Sequence, residues 1–84
     1  MRAVERVLLE FGSRGFSVLL KIDHERLAEG TKPWTVLVSG PSLGEGGYVR
    51  TDAPTIEAGF RRVYEQLRKH PGDWDWLPPL GEDS

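Results

Sequence analysis

The strongest hydrophobic pattern in the chain lies between residues 53 and 76. Five large apolar or aromatic side chains recur there at steps of four, three, one and three: Ile56, Phe60, Val63, Tyr64 and Leu67. This spacing puts all five on one face of a helix, and burying each of them is worth about 1.5 to 3 kcal/mol. We therefore expect this helix, ended by His70-Pro71-Gly72, to be the centre of the core.

Upstream positions predict a shorter helix and then a strand. Apolar residues at helical spacing predict a first helix from Ala3 to about Phe11, although Val7-Leu8-Leu9 is also compatible with a strand. Gly12-Ser13-Arg14-Gly15 then breaks the pattern. In the next segment, residues 16–23, apolar side chains occupy every second position, which is typical of a half-buried strand.

Two further strands complete a predicted sheet. Residues 34–39 alternate in the same way, and residues 48–51 form a short third strand. The glycine-rich connection at 39–47 is expected to be a mobile hairpin loop. The polar segment 24–32 is expected to be a loop, with a helical turn at 25–29 as the alternative.

The predicted element order is α-β-β-β-α, which gives a two-layer α+β domain. In this arrangement two helices pack on one face of a three-stranded antiparallel sheet. Eighty-four residues are enough for one domain. We assign it to residues 1–77, and we expect residues 78–84 to be a flexible C-terminal tail because prolines and polar residues dominate them.

The amino-acid composition excludes several classes of site and function. The chain has no cysteine, which excludes disulfides and thiolate zinc sites. Its charged start and the absence of a run of about 20 apolar residues predict a cytoplasmic protein with no membrane segment. His24 and His70 have no neighbouring nucleophile or ligand set, and the glycine-rich loop lacks the lysine of a phosphate cradle. We expect no enzyme activity, no metal and no cofactor.

Charge is close to balanced. Residues 1–54 carry seven charges of each sign, residues 55–70 carry four positive and two negative, and residues 71–84 carry four negative only. The net charge of −2 argues against general nucleic-acid binding, which depends on clustered cations.

The element order over residues 3–70 is similar in topology to the double-stranded RNA-binding domain. That family binds phosphates with lysines at the start of its last helix. At this position the present chain has no lysine, and its sequence is Asp52-Ala53-Pro54-Thr55-Ile56-Glu57. The family's binding residues therefore do not carry over. Segments 34–38, 48–55 and 71–76 also resemble small uncharacterised proteins of actinobacteria and their phages, which implies an origin and not an activity.

The candidate binding residues are aromatic and charged side chains outside the predicted core. Trp, Tyr and Arg dominate the energetics of protein interfaces. We predict partner contacts at Trp74, Trp76, Asp73 and Asp75, and in second place at Arg50 and Tyr48. The alternative is that Trp74 or Trp76 folds back with Leu77 and completes the core.

One face of the predicted sheet, which bears Leu19, Leu37 and by expectation Val49, has no helix to cover it. We expect either a docked tail or a homodimer to cover this face. The leading functional prediction is a small non-enzymatic protein that binds an unknown protein partner, as phage accessory factors, inhibitors and immunity proteins do. The alternative is a nucleic-acid-associated protein that uses Arg61, Arg62, Arg68 and Lys69.

Overall fold

The computed structural model describes residues 4–80, which form two layers, one of helices and one of strands. The elements are α1 (Val4–Ser13), β1 (Ser17–Ile22), α2 (His24–Glu29), β2 (Trp34–Ser39), a 3-10 turn (Pro41–Leu43), β3 (Tyr48–Ala53) and α3 (Ile56–Leu67). The strands make one antiparallel sheet in the order β1-β2-β3. The predicted fold class is confirmed, while the predicted start of the first helix at Ala3 lies outside the described residues.

The register of the strands gives the sheet two different faces. Val18 pairs with Val38, and Val38 pairs with Val49, so these three side chains point to the same face. Helices α1 and α3 cover that face, and Val49 is only 3% exposed. The expectation that Val49 lies on the uncovered face is therefore wrong. Tyr48 and Arg50, its neighbours in β3, point away from the helices instead.

Helix α3 lies close against the sheet because Gly59 has no side chain at the crossing point. A Cβ atom at Gly59 would lie 2.7 Å from Cγ2 of Val36. Because the helix lies so close to the sheet, Thr51 can donate a hydrogen bond from its Oγ1 to the Gly59 carbonyl oxygen at 3.1 Å. Thr55 precedes the helix as its N-cap, and its hydroxyl accepts from the Ala58 amide at 3.0 Å.

Segment 24–29, expected to be a loop or a single turn, is a short helix with both ends capped. The Asp23 carboxylate accepts from the backbone amides of Glu25 and Arg26 at 3.0 and 3.1 Å. Gly30 ends the helix at a φ of 72°, a left-handed conformation that glycine adopts without strain. The glycine-rich connection also has an anchor, since Leu43 is buried in the core.

The C-terminal segment packs against the helices and does not reach the uncovered face of the sheet. The Tyr64 hydroxyl donates to the Pro78 carbonyl oxygen at 2.7 Å, and Leu80 packs against the core. The domain boundary at residue 77 stays a prediction, and residues 81–84 of the predicted flexible tail lie outside the described residues. Within residues 4–80, no helix is both long and apolar enough to cross a membrane.

Candidate functional site

The uncovered side of the sheet, here called the open face, is a three-by-three array of side chains. Taken from β1 to β3, its rows are Ser17, Ser39 and Tyr48; Leu19, Leu37 and Arg50; and Lys21, Thr35 and Asp52. Most of them line a shallow depression of about 580 Å³. The array combines apolar, aromatic and charged groups on a surface that the core does not use.

The first two rows of the open face hold its apolar part. Leu19 and Tyr48 are each 63% exposed, and Leu37 between them is half-buried. Arg50 stands next to Leu37 at the β3 edge, with more than half of its side chain in solvent. Large apolar side chains in this position would gain free energy if another surface removed them from water.

The third row is a polar network that Arg26 of α2 completes. Thr35 donates from its hydroxyl to Oδ1 of Asp52 at 2.6 Å and accepts from Nη2 of Arg26 at 2.9 Å. Nη1 of Arg26 lies 3.2 Å and Nη2 of Arg50 lies 3.4 Å from the same Oδ1 atom. The hydrogen bond from Thr35 holds the pKa of Asp52 below its usual value. Arg26 and Arg50 act in the same direction, whereas burial opposes them.

Helix α2 positions Arg26 for this network. Its N-cap, Asp23, accepts a hydrogen bond from the Arg26 amide, which is the main cause of a lowered pKa at the Asp23 carboxyl. Oδ2 of Asp23 also lies 3.6 Å from Nε of Arg26. The guanidinium is thus held between two carboxylates, one at the end of its own helix and one on the sheet.

Trp74, a predicted contact residue, lies in the core. Only 8% of Trp74 is exposed, and its ring centroid is 5.9 Å from that of Phe16. Its indole Nε1 donates to the His70 carbonyl oxygen at 3.0 Å, so the polar atom of the ring is satisfied. Leu77 is buried as well. Trp74 and Leu77 therefore complete the core, as the alternative prediction has it.

Trp76 is half-buried beside the same cluster. Its ring stacks on Phe16 with centroids 5.8 Å apart and meets Phe11 edge-on at 5.3 Å. The guanidinium carbon of Arg14 lies 4.7 Å from the Trp76 ring centroid, in the position of a cation–π contact.

The two aspartates of this segment are both exposed. Oδ1 of Asp73 accepts from the backbone amide of Asp75 at 2.9 Å and fixes the turn between the tryptophans. The two indole rings lie 6.1 Å apart in one cluster, so only the acidic edge faces solvent fully.

Three of the four cations in α3 and just after it contact neighbouring groups. Arg61 pairs with Glu57 at 2.7 Å, and Arg62 donates to the Asp52 carbonyl oxygen at 3.0 Å. The guanidinium of Arg68 lies 5.7 Å from the Tyr64 ring, while Lys69 is exposed.

Tyr64 itself is a hydrogen-bond donor inside the fold. Burial raises its pKa to about 12, and the nearby Arg68 opposes this shift. The phenol therefore stays protonated and donates to Pro78 at neutral pH.

Comparisons of the chain with protein-family models, with curated proteins and with solved structures find no match. Among residues 4–80, no three His, Cys, Asp or Glu side chains come together in a way that could hold a metal ion.

Sequence reasoning predicted contacts at Tyr48 and Arg50, and the structure places both on the open face. It missed the parts played by Lys21, Asp52 and Arg26. Alternation along the strands was the signal for the first two of these.

Proposed function

We propose that this protein is a small non-enzymatic binding protein that docks on another protein through its open face. The observation that carries the proposal is the exposure of Leu19, Leu37 and Tyr48 on a sheet whose opposite face already supplies the core. These side chains lie outside the core cluster, yet they are apolar and adjacent. An apolar centre of this kind is typical of a protein interface.

The surroundings of this apolar centre support the same reading. Charged side chains stand around it, with Arg50 at one edge and Lys21 and Asp52 in the row below. Protein interfaces have a polar rim of this kind, and Tyr and Arg are enriched among the residues that contribute most to binding. The depression is shallow and open, whereas sites for small molecules are usually deep clefts that bury most of their ligand.

The Asp73–Trp76 segment gives the proposal less support. Trp74 is committed to the core and Trp76 is half-covered by Phe16 and Arg14. The exposed carboxylates of Asp73 and Asp75 stay predicted contacts of a second, smaller surface. Asp73 borders Arg14 and Phe16, and neither aspartate lines the depression of the open face.

The nucleic-acid alternative has weaker support. It would use the α3 cations, of which Arg61 and Arg62 are engaged with Glu57 and with the Asp52 carbonyl oxygen. Binding to phosphates would require breaking these contacts or sharing them. A steep fall in affinity with rising salt would be its signature.

Matched leucine substitutions test the proposal. Leu19 on the open face is 63% exposed and Leu9 on α1 is 65% exposed, so Leu19→Glu and Leu9→Glu change equally accessible positions. Immobilised wild type and both variants are compared for retained proteins from a lysate of the source organism, and for self-association in solution. We expect Leu9→Glu to behave as wild type and Leu19→Glu to lose its partner. Equal behaviour of the two variants, or no association by any of the three proteins, would contradict the proposal.

A further inference from the structure

We infer that the occupant of the open face is a second copy of this chain, packed face to face about a two-fold axis that runs along β2. This inference rests on the proposed function, because it names the partner of the same surface. It follows from the arrangement of charged and apolar side chains in the three rows of the array.

Symmetry restricts how two copies can meet. A two-fold axis that relates two facing surfaces must lie in the plane between them, since a perpendicular axis would return each copy to its own side. An axis along β2 sets β1 of one copy over β3 of the other and keeps each row opposite the same row. The strands of the two sheets are then aligned to within about 30°, as in the aligned packing of β-sandwiches.

This axis brings opposite charges together in the third row. Lys21 of each copy faces Asp52 of the other, so the contact forms twice. In the part of the chain that the structure describes, Lys21 takes part in no ion pair, and every recorded contact of the Asp52 carboxylate ends on Oδ1. The second oxygen, Oδ2, is therefore the acceptor for the ammonium group of the second copy.

The other two rows are compatible with the same axis. Leu37 lies on the axis and meets Leu37 of the second copy, while Leu19 meets the aliphatic stem of Arg50. Tyr48 covers Ser17. No two like charges face each other within the nine residues of the array. Arg26 of α2, whose guanidinium lies on Thr35 near the axis, comes close to Arg26 of the second copy, and in each copy Asp23 and Asp52 balance its charge.

The other simple axis, across the strands through the second row, sets Arg50 against Arg50 of the second copy. Opposed like charges of this kind weaken association when they lose water. About this axis Lys21 faces Ser17 and Asp52 faces Tyr48 of the second copy, so the Lys21–Asp52 contacts form only about the axis along β2.

The area of the open face sets the expected affinity of the dimer. Three strands about 4.8 Å apart and about 20 Å long cover a patch of roughly 14 by 20 Å. With the relief of the side chains, two such patches bury about 1,000 Å² in total, at the lower limit for a specific interface. We therefore expect a reversible dimer with a dissociation constant in the micromolar range.

Charge reversal in two separate variants provides the decisive test. In Lys21→Glu, the new carboxylate faces Asp52 in both halves of the dimer. In Asp52→Lys, the new ammonium faces Lys21 in both halves. Each variant alone should dimerise at least about tenfold more weakly than wild type. An equimolar mixture has opposite charges at both contacts, so it should recover association as a heterodimer. Sedimentation equilibrium over a concentration series measures all four samples.

A second pair of variants guards against a folding defect, because Asp52→Lys also removes the acceptor of Thr35. Leu37→Asp puts two carboxylates against each other on the axis, whereas Leu9→Asp changes an exposed leucine of α1. Circular dichroism establishes that each variant is folded. If Asp52→Lys does not fold, Lys21→Glu and Leu37→Asp must both weaken the dimer while Leu9→Asp does not.

Several outcomes would overturn the inference. One is a protein that stays monomeric at all concentrations up to about a millimolar, far above the expected dissociation constant. Another is a dimer whose dissociation constant does not change in Lys21→Glu and Leu37→Asp, as edge-to-edge strand pairing would give. The third is a mixture of folded Lys21→Glu and Asp52→Lys variants that does not recover association. A monomeric protein that loses a different partner on Leu19→Glu would overturn this inference and leave the proposed function standing. A monomer with no partner at Leu19 would overturn both.

Discussion

The two faces of the sheet are built from the same three strands in one register, yet they differ in almost every physical property. On the helix side, Val36 and Val38 are fully buried, and the register rows are apolar except for Thr51, whose hydroxyl is hydrogen-bonded to Gly59. On the open face, Leu19 is mostly exposed, and charged groups stand beside and below the apolar ones. The core lies on one side of the sheet, and we propose that the other side binds a partner. Substitutions should therefore separate folding from association.

The largest expected effect is at the centre of the helix side. Phe60→Ala should lower the free energy of unfolding by about 3 to 5 kcal/mol, because it removes a fully buried ring and leaves a cavity. Leu19→Ala on the open face should change it by no more than about 0.5 kcal/mol. Chemical denaturation of both variants measures the contrast. A Phe60→Ala midpoint equal to that of wild type would show that the α3 stripe does not hold the core.

The C-terminal tryptophans should differ in the same manner on a smaller scale. Trp74→Ala removes a buried ring and the donor to the His70 carbonyl oxygen, so we expect a loss of about 3 kcal/mol. Trp76→Ala removes a half-exposed ring and its contact with Arg14, and it should cost about 1 to 2 kcal/mol. Thermal unfolding of the two variants, with Trp74→Phe as an intermediate control, gives the order. Equal losses would mean that both rings are equally buried in solution.

The sequence predicts the elements well because their periodicities are strong. The α3 stripe at steps of three and four needs no long-range information, and neither does alternation in β1 and β2. Which residues of β3 point toward the core cannot be predicted in this way. Val49 and Tyr48 both suit a strand, and which of them points inward depends on pairing with β2 across an eight-residue connection. That register is a tertiary property, so Val49 was assigned to the wrong face.

The candidate site could be predicted only in part for a related reason. Exposed Tyr48 and Arg50 follow from residue type, but the polar row requires both strand registers and the capped helix α2 at once. The local signal for α2 was present, since Asp23 precedes the helix as a side-chain cap and Gly30 follows it. For Trp74 and Trp76, residue type alone left an interface and a place in the core as alternatives; Trp74 is buried, whereas Trp76 is half-buried and stays a predicted contact.

Close packing on the helix side predicts that replacing glycine by alanine changes stability in opposite directions at two helical positions. Both Gly12 in α1 and Gly59 in α3 are helical, and alanine is intrinsically the better helix former by about 1 kcal/mol. A Cβ at Gly12 meets nothing within 4 Å, so Gly12→Ala should stabilise the protein by up to about 1 kcal/mol. Gly59→Ala should destabilise it by about 1 to 3 kcal/mol, because the new methyl group collides with Val36. Stabilisation by both substitutions would mean that α3 can move away from the sheet.

The smallest effect concerns the polar row of the open face and depends on pH. The pKa of Asp52 is lowered in the folded protein, so its charged form adds stability above the ordinary value of 3.8, and that stability is lost as the pH falls through the folded-state pKa. Because the carboxylate is partly exposed, Asp52→Asn should cost at most about 1 kcal/mol at pH 7. The difference from wild type should shrink as the pH falls below 3.8. Denaturation curves at a series of pH values measure it, with Glu45→Gln in the glycine-rich connection as a control. A difference that stays constant across the series would show that the hydrogen bond to Thr35 matters and the charge does not.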